Sequence, residues 1–489
     1  MAFKDDWSFL DKITMGAIGT QKVIELLNES GHRIIELERY CTSNKIWATK
    51  IKRLRIPDLV CLKCGRRIES RAKSKLGIIM SDSPTNQERR WNAGLREEDL
   101  VSFIYCSKDT NDRWVASNTI NIFNIGDLER CEELSRLGPP KSASEGAERD
   151  RTWSSYVPGF SCIVDEINGT QIKLLKNTGG RFTKTVPEGH SIYVQQSDII
   201  PGNAMIVHSV VSTNIDPQCD ERDYDFIADL HSTIKETKYT AVKALGYLHE
   251  LSEQSIPELY ALLDEEDLDE RIRLEIYSSL ARLGEDVWDN IEMYISSDIS
   301  APLKMETVFI LGELATYPEA QNILRSIIES TDNSGELRSA AIWSLGHING
   351  SLPFILNFVA DHDDIVANHA IALIEKTSCP DLTQNILEIM QLDNIHGAIG
   401  ARLLSTCTNF NDRAIIEKYV NSQDNSLKGW LLYTIGLSGS ERFRNLLNEI
   451  DPNATESIKK LTPLWVNQKN YLSKDTLDNI EFLKLQKIT

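Results

Sequence analysis

The sequence predicts a multidomain protein: an N-terminal α/β domain over residues 1–140, a small antiparallel β module over 150–213 and a C-terminal α-solenoid over 218–489. Three observations carry that prediction. Related apolar segments recur through the C-terminal half at steps of 28 to 35 residues. Short alternating runs punctuated by glycine and proline fill the middle. A strongly basic stretch holding two isolated acids dominates the N-terminal part. At 489 residues the chain is too long for a single core, so several domains are required.

The first element is an amphipathic helix over residues 17–30, AIGTQKVIELLNES, with Val23, Leu26 and Leu27 on one face and Gly31 just past its end. HRIIELER then reads as a strand, with Glu36 and Glu38 on one face; as surface acids they suit pairing with Lys or Arg better than holding a metal. Two further strands follow, then the loop MSDSPTNQERR. WNAGLREEDLVSFIYC reads as a short helix running into a strand.

The two strands in the middle of this order carry the chemistry. Residues 45–75 hold eleven Lys/Arg and only two acids, Asp58 and Glu69, each in an apolar setting. The segment Ile-Pro-Asp-Leu-Val-Cys-Leu reads as a buried strand entered through proline. In Arg-Ile-Glu-Ser-Arg-Ala-Lys, the side chains of Glu69, Arg71 and Lys73 share one face. A tight turn, Cys-Leu-Lys-Cys-Gly-Arg, joins the strands and brings Asp58 and Glu69 together. Two such carboxylates suit Mg²⁺ or Mn²⁺, hard cations that take oxygen ligands. The alternative is an ordinary ion pair of Glu69 with Arg67 or Arg71.

Pro57-Asp58 together with Glu69-Ser70-Arg71 resembles the PD-(D/E)xK nuclease superfamily, with Arg standing where that motif has Lys. The order helix, three strands, helix, strand over residues 17–125 is similar to its restriction-endonuclease-like core. The resemblance implies that Asp58 and Glu69 bind the metal and that Arg71 or Lys73 stabilises charge at the phosphate. Arg cannot lose its proton and presents a planar fork, so the exchange weakens the catalytic expectation. Lys50, Lys52, Arg53 and Arg55 are expected to grip DNA backbone phosphates, contacts that position without reading sequence.

Cys61 and Cys64 raise a second possibility. Cys-x-x-Cys-Gly has the shape of a zinc knuckle. It is half a site, and the sequence offers Cys41 and Cys106, or one of these with His32, as the remaining ligands. Two buried, reduced thiols in a turn are the other reading.

Residues 137–152 read as a linker. FSCIVDEI, TQIKLLKN, HSIYVQQS and AMIVHSVV form the β module, and Asn168-Gly169 between the first two is a hairpin signal. From about residue 222, aligning Leu245, Leu280, Leu311, Leu345, Leu373, Leu403 and Ile435 gives steps of 35, 31, 34, 28, 30 and 32. Most are followed by a second apolar stretch, which is the signature of stacked helix pairs. With Ala-x-x-x-Leu-Gly on one helix, the pattern resembles HEAT-like repeats. Arg273 and Arg338 sit ahead of such helices, and Trp343 and Trp430 are expected to be packing residues.

Charge divides the chain. Residues 1–140 carry 23 Lys/Arg against 20 Asp/Glu, or +3, so a total of −19 leaves −22 on the remainder. A basic head suits DNA, and an acidic scaffold suits a protein partner. No apolar run is long enough to cross a membrane, and nine irregularly placed cysteines do not make a disulfide framework, so a reducing cytoplasm is expected. Two functions are open: a metal-dependent DNA endonuclease on a helical scaffold, akin to restriction or anti-phage machinery, and a non-catalytic adaptor with a degenerate nuclease-like head. The paired carboxylates favour the first, Arg71 the second.

Overall fold

Apolar faces at helical and strand spacing build a β-rich N-terminal region and a helical C-terminal region. The computed structural model describes residues 7–37, 47–49, 51, 54–110, 112–143, 147–211, 218–220, 223–296, 298–346, 348, 350–376, 382–406, 411–438, 445, 447–449 and 451–454. Two compact units are present. Among the described residues, one holds those from 11–37 and 54–291, the other those from 7–10, 47–51 and 292–454.

The first unit is built on helix α1 (Trp7–Glu29, from residue 11 onward) and a mixed sheet. Its strands are β1 (Ile34–Glu36), β2 (Leu59–Cys61), β3 (Arg67–Lys73), β5 (Leu100–Lys108) and β6 (Trp114–Asn124), while β4 (Ile78–Asp82) leaves for another sheet. The order β1-β2-β3-β5-β6 is antiparallel except for β3 against β5, which run parallel. On one face Val23 and Leu27 of α1 bury against Leu59, Cys61, Ile68, Leu100 and Ile104. Each fully buried aliphatic side chain contributes about 1.5–3 kcal/mol. On the other face Val101, Phe103 and Phe123 meet Ile78, Met80, Trp91 and Trp153. There β4 pairs with β8 (Arg149–Trp153), which also pairs with β7 (Arg136–Leu137).

The expected helix ahead of β5 is not formed. Residues 91–99 are turns, and β5 starts at Leu100. Gly94 has φ +76°, and a Cβ there would collide with the Arg55 carbonyl, so the chain passes too close to its neighbour for a helix with side chains. Asp99 fixes the turn by accepting the Arg96 backbone N–H at 2.7 Å.

In the middle of the chain β9 (Ser155–Tyr156), β10 (Cys162–Asn168), β11 (Gln171–Lys176), β12 (Arg181–Thr185), β13 (Ser191–Ile192), β14 (Ile199–Ile200) and β15 (Val207–His208) make two small antiparallel sheets. Asn168 pairs with Gln171, so Gly169 and Thr170 form a two-residue turn as the dipeptide signal requires. The exposed strand β12, RFTKT, lacks an apolar stripe and escaped the pattern reading.

Helices Lys235–Leu245, Ser252–Leu263 and Glu270–Arg282 complete this unit. The second unit continues with paired helices, Ala301–Glu313 with Pro318–Glu329 being the first pair. Successive first helices, Ala301–Glu313, Gly335–Leu345, Asp364–Lys376, Asn394–Thr406 and Asn425–Ser438, pack side by side. Arg273 donates to the Leu263 carbonyl at 2.7 Å, and Arg338 donates to the Ile328 carbonyl at 2.7 Å. Each guanidinium thus caps the end of the preceding helix, at the same ten-residue spacing. Trp343 is a packing residue here: its indole N–H donates to His369 Nδ1 at 2.9 Å, and the Trp47 ring packs at a tilt against the same imidazole. Burial lowers the His369 pKa to about 4, which keeps the ring neutral and able to accept. None of the described helices is long and apolar enough to cross a membrane.

Candidate functional site at the two ends of a hairpin

Strands β2 and β3 form the hairpin that the basic stretch encodes, in the register Leu59↔Ile68 and Val60↔Arg67. Asp58 lies in a bend ahead of β2, and its carboxylate accepts the Ser70 backbone N–H at 2.7 Å. Glu69 is 9% exposed and forms an ion pair with Arg71 at 2.6 Å. Arg67 takes a different partner: its guanidinium makes a bidentate pair with Asp99, Nε–Oδ1 being 2.9 Å, and both side chains are buried. Of the two arginines open to Glu69, Arg71 is the one engaged.

Alternation puts Glu69, Arg71 and Lys73 on the sheet face away from α1, while Ser70 faces α1 and its hydroxyl receives a hydrogen bond from Thr20 at 3.0 Å. Burial, with the Arg71 charge beside it, brings the Lys73 ammonium down to about 8. The face therefore combines two engaged carboxylates with a guanidinium and a weakened ammonium.

Lys50, Lys52 and Arg53 lie outside the described residues, as do Cys41 and Glu38. Arg55 is exposed, and Glu36 is half-buried at the end of β1.

The turn end of the hairpin is organised differently. His32, Cys61, Cys64 and Cys219 each present one ligand atom, and these atoms all lie within 4.8 Å of one another. Cys64 Sγ is 3.6 Å from His32 Nδ1, and Cys61 Sγ is 4.0 Å from Cys219 Sγ. The Cys61-x-x-Cys64 turn closes with the Gly65 N–H donating to the Cys61 carbonyl at 2.9 Å. Gly65 has φ +68°, and a Cβ there would strike the Tyr224 ring. His32 follows the turn that ends α1, its N–H bonded to the Leu27 carbonyl at 3.1 Å. Cys219 arrives from beyond the β module and is seated by its N–H on the Ser30 carbonyl at 3.0 Å, with Arg66 donating to the Gln218 carbonyl at 3.4 Å. Hydrogen bonding from Cys64, and then from His32, pulls the Cys61 thiol far below its ordinary range against the effect of burial; Cys64, as donor, is pushed up.

This geometry corrects one expected ligand. Cys106 belongs to β5 and faces α1, with Ile104 and Leu100 around it and its thiol directed at the Met15 carbonyl, 4.0 Å away. Burial raises its pKa to about 11, so it stays a neutral apolar packing group. The β5 register holds it away from the turn, and Cys219 stands in the group instead.

No protein-family model matches the chain, and no curated protein matches it. Among solved structures it is similar to the complex of CpcE and CpcF of phycocyanin lyase from Nostoc sp. PCC7120. Identity is 14% and the TM-score 0.24, over 52% of this chain and 100% of that one. It is also similar to an engineered protein at 15% identity and a TM-score of 0.24, over 53% of this chain and 86% of that one. Likenesses this slight carry no argument about activity or partner.

Proposed function

We propose that this protein is a non-catalytic adaptor, in which a degenerate nuclease-like head is joined to a HEAT-like scaffold that holds a protein partner. One observation carries the reading: the carboxylates expected to bind a catalytic metal are already engaged. Glu69 is neutralised by Arg71 at 2.6 Å, and Asp58 accepts the Ser70 N–H at 2.7 Å. Their oxygen atoms are of the type Mg²⁺ takes. A guanidinium already bound to Glu69 does not fit a catalytic metal on that carboxylate. The scaffold's charge points to the class of partner. Residues 141–489 carry −22, which favours a basic protein surface over nucleic acid.

A second reading, a metal-dependent DNA endonuclease, keeps one observation in its favour. Asp58 accepts the N–H of Ser70, the residue after Glu69, and Lys73 shares a strand face with Glu69 at a pKa of about 8. The deciding experiment incubates the purified chain with Mg²⁺ or Mn²⁺ on linear, nicked and single-stranded DNA, beside Asp58→Ala and Glu69→Ala. The adaptor reading expects no metal-dependent cleavage above that of the variants. Cleavage lost in both variants would establish the endonuclease.

DNA binding is tested separately by a salt titration of fluorescence anisotropy on two unrelated duplexes. If Arg55 contacts a phosphate, Arg55→Ala lowers the slope of log affinity against log salt by about 0.9. An unchanged slope makes it a solvated side chain.

A further inference from the structure

We infer that His32, Cys61, Cys64 and Cys219 form one tetrahedral zinc site that staples the segment after the β module to the N-terminal hairpin. Zinc sits about 2.3 Å from thiolate sulfur and about 2.0–2.1 Å from imidazole nitrogen. Tetrahedral angles then put two sulfurs about 3.8 Å apart, and a sulfur and a nitrogen about 3.6 Å apart. The Cys61–Cys219 and Cys64–His32 separations are 4.0 and 3.6 Å, and the whole set lies within 4.8 Å. Two of the six separations match the edges of a zinc tetrahedron, and the other four lie within about 1 Å of them at most.

Ligand chemistry selects the metal. Three soft sulfurs and one imidazole at tetrahedral spacing suit Zn²⁺ and exclude the hard, oxygen-seeking Mg²⁺ and Ca²⁺. Cys61, Cys64 and His32 are buried and Cys219 is half-buried, which leaves no open coordination position of the kind a catalytic zinc keeps. The surroundings are built to hold these ligands in place. Backbone bonds fix His32 through Leu27, Cys61 through the Arg66 carbonyl at 2.9 Å, and Cys219 through Ser30. Tyr224 closes over Gly65, its N–H on the Lys63 carbonyl at 3.1 Å.

The site also explains an arrangement the hairpin does not need for itself. Cys219 lies 158 residues beyond Cys61 and just ahead of the helices that begin at Phe226. A metal there joins three separate stretches of chain, so binding energy becomes folding energy for all of them.

The test uses the full-length chain expressed with zinc and purified without chelator. Elemental analysis is expected to find about one zinc per chain. Cys219→Ser is expected to lose it, while Cys106→Ser and Cys131→Ser, which remove buried thiols outside the cluster, keep it. Because Cys219→Ser is open to misfolding, His32→Cys serves as the conservative variant: four thiolates hold zinc equally well, so the metal is retained. Cobalt exchanged into the wild type should give the intense visible bands of a tetrahedral thiolate site, and weaker, shifted bands in Cys219→His. A folded wild type without zinc, a disulfide among these cysteines, or equal zinc in Cys219→Ser and wild type would each overturn the inference.

Discussion

The two ends of the β2–β3 hairpin hold metal-binding side chains under opposite conditions. At the open end Asp58 and Glu69 are hard donors, and the protein has already supplied their partners, a backbone N–H and a guanidinium. At the turn end His32, Cys61, Cys64 and Cys219 are soft donors that converge on one another. The lesson is that residue type alone does not make a metal site. A carboxylate with an arginine two residues along finds its ion pair within its own strand, whereas a knuckle of two thiols becomes a candidate centre once distant segments deliver the other half.

The largest expected effect breaks what both ends share. Arg67 lies between them in β3, buried on Asp99. Arg67→Leu leaves that carboxylate buried without its counter-charge, so denaturant unfolding should show a loss of about 3–5 kcal/mol, and both ends should fail together.

A smaller change separates them. Gly65→Ala forces a positive φ and a clash with Tyr224 at the turn alone. A loss of about 1–3 kcal/mol is expected, together with weaker zinc retention. Arg71→Met acts at the open end alone. Arg71 is 38% exposed, so its pair contributes at most about 1 kcal/mol, and zinc content should not change. If Arg71→Met lowered zinc, the two ends would not be independent.

A pH dependence is also expected at the open end. The folded chain holds Lys73 near 8, below the unfolded value of about 10.4. Between these values the folded state binds fewer protons than the unfolded state, so stability rises with pH through the window and the cost of burying the charge is greatest below it. Relative to wild type, Lys73→Met should be more stable below pH 8, with the difference shrinking towards pH 10.4. Urea midpoints at several pH values measure this, and a constant difference would contradict the lowered pKa.

What was legible in the sequence was local. The Ala-x-x-x-Leu-Gly spacing marked helices such as Gly335–Leu345, and Cys61-x-x-Cys64-Gly65 marked its own turn. What was hidden needed tertiary contact. Nothing near Cys219 distinguishes it from the other cysteines, because its partners lie more than 150 residues away. Asp99 falls in the stretch read as a short helix running into a strand, although in the fold it neutralises Arg67 and fixes a turn. Strands β4 and β8 pair across about 70 residues of chain, beyond the reach of any hairpin signal.

Native mass spectrometry of the full-length chain tests the contrast most directly, because it weighs bound metals without relying on any activity. Wild type and Asp58→Ala, each equilibrated with millimolar Mg²⁺, are predicted to carry the same mass of about one zinc and no retained magnesium. Cys219→Ser is predicted to carry neither. Magnesium bound by wild type and lost in Asp58→Ala, or a wild type free of zinc, would contradict the account.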